Sequence, residues 1–315
     1  MGIVLENGKI FRNGKLQSSS LYLDEKIQNS AQINARDQII DCTGKWILPG
    51  LIDAHVHFRV PGGEHKEDWK TGSLSAAHGG VTTVMHMPNT NPPTNTAAAL
   101  EQKRSIAQKA SLVRFGFHFG ATIDNFAEAQ QARGINFIKM YMGSSTGNLL
   151  VNNADAWKKW FKLCKERNWT TVIHAEFEPL IVQHSQAMPQ NNINVHNKIR
   201  NAEVECTAIQ KALELQKEIG NKLHIAHLSS KAGFELVEKA KQESENISCE
   251  VCPHHLFLTE DDLEKLGNFG KMNPPLRTKE DTHALWKGIR NGIIDCIATD
   301  HAPHTIAEKQ KPYNE

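Results

Sequence analysis

Gly-Leu-Ile-Asp-Ala-His-Val-His-Phe-Arg, at residues 50–59, is the stretch of this sequence from which the fold can be interpreted. Its apolar residues predict a β-strand. Because side chains along a strand repeat with period two, His55, His57 and Arg59 share one face. Two neutral imidazoles at a strand end can bind one metal ion such as zinc. A His-x-His pair alone is weak evidence for a metal, so the other ligands must come from elsewhere in the chain.

After residue 50, apolar strands alternate with helical stretches. This alternation is typical of a parallel sheet. Eight strands favour an α/β fold of the (β/α)8, TIM-barrel type over an open doubly wound sheet. The sequence has no G-x-G-x-x-G motif and no P-loop, so nucleotide phosphates are not the obvious ligand. The predicted strands cover residues 51–58, 81–87, 113–120, 136–142, 171–174, 223–227, 247–252 and 293–299.

Residues 1–49 consist of short extended segments broken by turns. Asn7-Gly8 and Asn13-Gly14 are strong hairpin signals. They predict a small antiparallel sheet, which is too small to bury a core of its own. We therefore predict a small β domain at residues 1–49 and a barrel domain at residues 50–315.

Polar side chains follow the predicted strands at their carboxyl ends, the rim where barrel enzymes carry their catalytic residues. One histidine at a strand end is usually a structural residue, but here four strands bring metal-type ligands to the same rim. This convergence predicts a metal centre. The strand-end residues are His55, His57 and Arg59 on strand one, Asn89 after strand two, Lys139 in strand four, His174 on strand five, His227 on strand six, His254 and His255 on strand seven, and Asp300 on strand eight.

Lys139 lies inside an apolar strand, where an unpaired charge is costly. An edge lysine can place its ammonium group in water, but a closed barrel has no edge strand. A lysine that carries a carboxylate on its side chain would bridge two metal ions instead of being repelled by them. His254 and His255 are adjacent in a predicted strand and face opposite ways, so we expect structural hydrogen bonding from this pair.

The composition disfavours several classes of protein. The formal net charge is +1 and there is no Lys/Arg tract, which disfavours a nucleic-acid binder. No apolar run is long enough to span a bilayer, and the N-terminus lacks the pattern of a signal peptide. The six cysteines are scattered and read as reduced thiols. We therefore expect a cytoplasmic protein without nucleic-acid or membrane partners.

The motifs resemble those of dihydroorotases of the amidohydrolase superfamily, of the type found in multifunctional complexes, across residues 1–315. Gly-Gly-Val-Thr-Thr is shared with allantoinases and hydantoinases, whereas His-x-His-Phe-Arg together with Met-Pro-Asn-Thr favours dihydroorotase. The matching motifs are Pro-Gly-Leu-Ile-Asp-Ala-His-Val-His-Phe-Arg (49–59), His-Lys-Glu-Asp (65–68), Gly-Gly-Val-Thr-Thr (79–83), Met-Pro-Asn-Thr-Asn-Pro-Pro-Thr (87–94), Asn-Pro-Pro-Leu-Arg (273–277) and Thr-Asp-His-Ala-Pro-His (299–304).

The resemblance implies reversible, zinc-dependent hydrolysis of the cyclic amide of (S)-dihydroorotate to N-carbamoyl-L-aspartate, in de novo pyrimidine biosynthesis. It implies two Zn2+ ions per chain, bridged by Lys139 carboxylated on its side-chain nitrogen. Zinc lowers the pKa of water from about 15.7 toward about 7. Asp300 would be the catalytic residue that takes a proton and passes it to the leaving nitrogen. The implied metal ligands are His55, His57 and Asp300 for one ion and His174 and His227 for the other, and the implied substrate-binding residues are Arg59, Asn89, Asn273 and His304.

The resemblance also implies a β-sandwich portion that residues 1–49 begin and a later segment completes. Because such proteins usually continue after strand eight, we expect this chain to lack the last barrel helix and that later segment. Two other functions stay open. Arg59 and Asn89 argue against an allantoinase-like or hydantoinase-like cyclic amidase, and the retained ligands argue against a catalytically inactive assembly scaffold. A homodimer and an association with aspartate transcarbamoylase also stay open.

Overall fold

The computed structural model describes residues 2–28, 36–145, 147–189 and 192–313. The chain divides into two compact units, Met1–Leu51 and Ile52–Glu315, and each is described by itself. No helix in the described part of the chain is both long and apolar enough to cross a membrane.

The strands of the first unit form one mixed sheet: β1 (Ile3–Arg12), β2 (Lys15–Leu23), β3 (Ile27–Gln28), β4 (Gln38–Asp41) and β5 (Trp46–Ile47). The order along the sheet is β3-β2-β1-β4, and β5 also pairs with β1. The β1–β2 and β2–β3 pairs are antiparallel, whereas β4 and β5 run parallel to β1. The prediction of a purely antiparallel sheet is therefore wrong. The prediction that this unit is part of a composite β-sandwich stays a prediction.

The two Asn-Gly pairs of the first unit have different roles. Asn13-Gly14 forms the tight β1–β2 turn with φ angles of 49° and 76°, as predicted. The prediction of a hairpin at Asn7-Gly8 is wrong, because these residues lie within β1 at a break in its register with β2. Asn7 has a φ of 61°, and its side-chain amide donates to Asp41 Oδ1 at 3.0 Å. A left-handed asparagine here makes a bulge, and the strand continues past it.

The second unit is a barrel of parallel strands, which confirms the predicted fold class. Two runs of paired strands, β6-β7-β8 and β9-β10-β11-β12-β13-β14, follow chain order. A parallel bridge between Val56 and His301 joins the first barrel strand to the last and closes the barrel. The strands are β6 (Leu51–Val56), β7 (Val81–His86), β8 (Arg114–Phe117), β9 (Phe119–Gly120), β10 (Phe137–Tyr141), β11 (Thr170–His174), β12 (Lys222–Ile225), β13 (Ile247–Val251) and β14 (Cys296–Ile297).

Helices follow the strands and cover the outside of the barrel. Side-chain caps fix where several of them begin. At one helix start, Thr278 Oγ1 accepts from the Asp281 N–H at 3.2 Å, and Asp281 accepts from the Thr278 N–H at 3.0 Å. The helices are α1 (Trp69–His78), α2 (Ala97–Ala110), α3 (Phe126–Gln131), α4 (Ala154–Arg167), α5 (Glu178–Ala187), α6 (Ile193–Ile199), α7 (Ala202–Ile219), α8 (Lys231–Glu243), α9 (Pro253–Phe257), α10 (Leu263–Leu266), α11 (Lys279–Arg290) and α12 (Ile306–Lys309), with 3-10 turns at Glu260–Asp262 and Gly267–Gly270.

Both faces of the barrel strands are covered, and this arrangement places polar residues inside the barrel. In β10, Ile138 and Met140 belong to the main hydrophobic core. Lys139 lies between them and is also fully buried, so it points to the opposite face of the strand. The same alternation in β6 separates Val56, which joins the core, from His55. The barrel interior therefore receives the residues that the sequence singled out.

Candidate metal centre

The first group of predicted ligands lies where β6 and β14 end. His55 and His57 come from β6 and the residues just after it, and Asp300 follows β14. Their ligand atoms all lie within 4.8 Å of one another. His55 Nε2 is 3.2 Å from Asp300 Oδ1, and His57 Nε2 is 2.9 Å from the same oxygen. Two imidazole nitrogens and one carboxylate oxygen therefore converge on one point, which is the donor set that zinc prefers.

Neighbouring oxygens hold the other nitrogens of these two rings. His55 Nδ1 is 2.5 Å from Glu250 Oε1, and His57 Nδ1 is 2.7 Å from Asn89 Oδ1. Because both partners are oxygens, the ring protons lie on Nδ1 and each Nε2 presents a lone pair toward Asp300. Burial lowers the pKa of His57 to about 4, which keeps that ring neutral, as a metal ligand must be.

The second group lies where β11 and β12 end. His174 Nδ1 is 2.9 Å from His227 Nε2, and His174 Nε2 is 2.8 Å from Glu176 Oε2. Glu176 is also bound by the Arg200 guanidinium. The His227 ring centre is 5.3 Å from that of His55, so the two groups adjoin. His227 Nδ1 is buried without a hydrogen-bond partner in the described part of the chain.

Lys139 is fully buried beside both groups. Its Nζ has no hydrogen-bond partner among the described residues and lies 5.2 Å from the centre of the Tyr141 ring. Burial lowers the pKa of Lys139 to about 8, although the carboxylates of Glu250 and Asp300 oppose that shift. Burying an amine without a hydrogen-bond partner costs free energy. The position of Lys139 therefore favours a form of this side chain that has hydrogen-bonding or ionic partners over the free amine.

A cavity of about 600 Å³ opens onto the first group. Each residue predicted to bind substrate lines it. Arg59 Nε donates to the Pro303 carbonyl at 2.9 Å, and the Asn273 side-chain oxygen is buried without a partner in the described residues. Cationic side chains outnumber carboxylates on the wall, which suits an anionic ligand. The lining residues include His57, Arg59, Lys66, Asn89, His254, Lys271, Asn273, Asp300, His304, Glu308, Lys309 and Lys311.

Comparisons with known proteins agree with this geometry. The model of the amidohydrolase family matches residues 46–310. The dihydroorotase of Methanosarcina mazei is 38% identical over 98% of this chain and 70% of that protein. The dihydroorotase of Lactobacillus helveticus is 37% identical over 98% of this chain and 73% of that protein. The chain belongs to the dihydroorotases of the amidohydrolase family. It is therefore a hydrolase that acts on cyclic amides.

Solved structures with a similar fold include two hydantoinases. L-hydantoinase from Arthrobacter aurescens superposes with a TM-score of 0.90 at 28% identity, covering 99% of this chain and 72% of that one. D-hydantoinase from Thermus sp. gives a TM-score of 0.89 at 23% identity, covering 99% and 72%. The second likeness shows the fold alone.

Two carboxylates that hold the candidate ligands were not singled out from the sequence, and a third, that of Asp53, lies in the same region. Glu250 in β13 holds His55, and Glu176 holds His174. Asp53 accepts from the Thr299 hydroxyl at 2.5 Å and ties the first barrel strand to the last. Glu250 could have been found, because it is a charge inside an apolar strand, the signal that singled out Lys139. Glu176 gave no such signal, because it follows β11 in an irregular segment.

The prediction that His254 and His255 lie in a strand is wrong, because both belong to helix α9, which begins at Pro253. Proline is favoured in the first turn of a helix, so it ends the strand here. The expected hydrogen bonding is present, since His255 Nε2 lies 3.1 Å from the Pro274 carbonyl oxygen. His254 instead lines the cavity of the candidate site.

Proposed function

We propose that this chain is a zinc-dependent dihydroorotase, which reversibly hydrolyses (S)-dihydroorotate to N-carbamoyl-L-aspartate in the cytoplasmic pathway to pyrimidines. The observation that carries the proposal is the convergence of His55, His57 and Asp300 on one point at a cavity that Arg59 also lines. A metal centre would activate water for hydrolysis of the amide. The cationic side chains on the cavity wall would bind the carboxylate of the dihydroorotate ring. Assembly as a homodimer or with aspartate transcarbamoylase stays a prediction.

The buried donors fit two zinc ions. His55, His57 and Asp300 would hold one, and His174 and His227 would hold the other. The buried Lys139 amine, which has no partner in the described residues, fits a carboxylated side chain that bridges both ions. Bound zinc would lower the pKa of water toward about 7 and polarise the amide carbonyl.

Asp300 is placed to move the proton. Its carboxylate faces His55 and His57 and borders the cavity. Burial alone would raise the pKa of Asp300, yet that pKa lies well below its usual range, so the group is a carboxylate at neutral pH. Asp300 therefore starts as a base. It takes the proton of the attacking water as the C–O bond forms, and it returns that proton to the ring nitrogen as the C–N bond breaks.

The cavity wall orients the ring. The Nε of Arg59 is bound to a backbone carbonyl, so its terminal nitrogens remain to grip a carboxylate through two parallel hydrogen bonds. The unpartnered Asn273 oxygen suits a ring N–H. Asn89 reaches the cavity and also holds His57, so it couples substrate position to a metal ligand. His304 adds a further side chain on the same wall.

Metal content by elemental analysis, followed by dihydroorotate hydrolysis in the ultraviolet on the same sample, tests the proposal. We expect about two zinc ions per chain and turnover. Hydantoin and allantoin assayed beside dihydroorotate decide between the cyclic amidases, and Arg59 predicts preference for the carboxylated ring. A folded chain that takes up no zinc, even with bicarbonate present, would contradict the proposal. That result would favour the alternative function, a catalytically inactive assembly scaffold.

A further inference from the structure

The chain turns sharply where it leaves β6, and the turn sets the direction of two site residues. Phe58 lies between His57 and Arg59. Arg59 has a φ of 64°, a left-handed conformation that non-glycine residues adopt only when their surroundings hold them. The Val60 N–H donates to the Phe58 carbonyl at 2.8 Å across the turn. We call this turn, at residues 58–60, the Phe58 corner. The direction of the Arg59 guanidinium therefore depends on the contacts that hold the Phe58 corner in place.

A side chain from the next strand fastens the corner. The Phe58 N–H donates to His86 Nε2 at 3.0 Å. Because a backbone N–H can only donate, Nε2 must be the acceptor, and the ring proton of neutral His86 lies on Nδ1. His86 Nδ1 then donates to the Met87 carbonyl at 2.6 Å. One imidazole thus joins the end of β6 to the end of β7.

The surroundings of His86 keep the ring in this position. The ring is 1% exposed and stacks on Trp69 with centres 5.0 Å apart and planes 30° apart. Lys103, from α2, donates to the same Met87 carbonyl at 3.2 Å. Burial lowers the pKa of His86 well below its usual value, so the ring stays in the neutral form that the two hydrogen bonds require.

We propose that His86 is a positioning residue, which aims Arg59 at the substrate carboxylate by fastening the Phe58 corner to β7. This inference rests on the proposed function, because it assumes that Arg59 binds the carboxylate of the ring. His86 is not among the described residues that line the cavity. It acts on Arg59 through the backbone of Phe58, and nothing in the reaction requires it to change protonation.

Three variants of the full chain test the inference. His86→Leu removes both hydrogen bonds. His86→Gln can present an oxygen to Phe58 and an N–H to Met87. His184→Leu is the matched control, since His184 also bonds a backbone carbonyl, that of Ile199 at 2.9 Å, but away from the corner. For each protein, KM and kcat for dihydroorotate, the Ki of orotate (the unsaturated analogue of dihydroorotate, which keeps the ring carboxylate), zinc content and the thermal midpoint are measured.

We expect His86→Leu to raise KM and the orotate Ki about tenfold, with kcat and zinc content changed by less than about threefold. His86→Gln should recover most of the loss, and His184→Leu should bind orotate like the wild type. If His86→Leu does not fold, His86→Asn replaces it, since its shorter amide cannot span both partners.

A lower thermal midpoint with unchanged KM and Ki in His86→Leu would overturn the inference, because the residue would then be only structural. The same holds if His86→Gln is as impaired as His86→Leu, since ring packing and not hydrogen bonding would matter. A wild-type protein that neither hydrolyses dihydroorotate nor binds orotate would remove the proposed function and this inference with it.

Discussion

The two groups of the candidate metal centre, called its first and second halves here, differ in how their imidazoles are held. In the first half, the ε nitrogens of His55 and His57 both face Asp300, while Glu250 and Asn89 hold their δ nitrogens. Each ring therefore has its metal-binding nitrogen directed at one point before any ion binds. This half is organised in advance, which reduces the free energy that binding would otherwise lose to ordering the ligands.

In the second half, His174 and His227 hydrogen-bond each other at 2.9 Å, and Glu176 takes the other nitrogen of His174. An ion that binds both rings must replace that mutual hydrogen bond. Lys139 beside them lacks a partner among the described residues. On the proposed function the halves would not be equivalent: the first could take an ion as it stands, whereas the second would have to rearrange and gain a ligand.

The largest expected effect on activity comes from a substitution in the first half of the candidate metal centre. Asp300→Asn removes the proton acceptor and one charged ligand, so we expect kcat to fall about 10³-fold. Initial rates with dihydroorotate measure this loss, and elemental analysis reports the metal that remains. Asp155→Asn, on an exposed helical turn, is the control and should keep full activity. A loss below about tenfold in Asp300→Asn would assign the proton transfer to another residue.

Changing the second half alone should separate the two ions. Lys139→Met removes the amine that we propose to be carboxylated, so we expect zinc content to fall from about two to about one and kcat to fall about 10²-fold. Lys103→Met replaces an equally buried lysine and should keep both ions. If Lys139→Met keeps two tightly bound ions, the bridging role of Lys139 is wrong.

Glu250 and Glu176 each hold a proposed metal ligand, but removing them should have different effects on zinc affinity and on the free energy of unfolding. Glu250→Met takes away the group that holds His55, and we expect a loss of about 10-fold to 100-fold in zinc affinity. Glu176→Met should likewise weaken the binding of an ion at His174, but it also leaves Arg200 as a buried charge without its carboxylate, so it should in addition cost about 3 kcal/mol of unfolding free energy. Competition with a chelator and denaturant unfolding measure the two effects. Equal losses of unfolding free energy in the two variants would refute the distinction.

Acidification should lower the free energy of unfolding of the metal-free protein, and this is the smallest of the predicted effects. The pKa of His57 is about 4 when folded, below the ordinary 6.5, so the unfolded chain binds more protons as the pH falls through this window. Stability is therefore complete above about pH 6.5 and decreases below it. His57 alone should account for about 1 kcal/mol at pH 5.5. Urea unfolding at pH 7.5 and 5.5 should show that His57→Asn loses less stability on acidification than the wild type does.

The sequence was most informative where one pattern repeats. Strand–helix alternation predicted the barrel, and strand-end residues such as His55 and Asp300 lie together in the structure. Whether the predicted ligands bind metal stays a prediction until metal is measured. The sequence was least informative where a contact joins distant segments, as between His55 and Glu250 or between Phe58 and His86. Such pairs depend on strand order and side-chain direction, which residue spacing does not specify.

Local turn signals were the other weak point. Asn7-Gly8 has the composition of a hairpin, but its neighbours on both sides continue to pair with β2, so the strand bulges there and does not reverse. The predicted last strand, residues 293–299, is reduced to β14, Cys296–Ile297. A short strand of this kind has too few residues for periodicity to define its ends.

The short last strand means that the barrel closes through few contacts, and these include site residues. The His57 N–H donates to the His301 carbonyl at 2.7 Å, next to Asp300, and Asp53 binds Thr299 across the same line. An ion held by ligands from both sides would therefore resist local opening of this line, by about 1.4 kcal/mol for each tenfold excess over its dissociation constant. The amide hydrogen of His57 should therefore exchange with solvent more slowly in the metal-loaded protein. The proposed ion would then stabilise the closure of the barrel in addition to its role in catalysis.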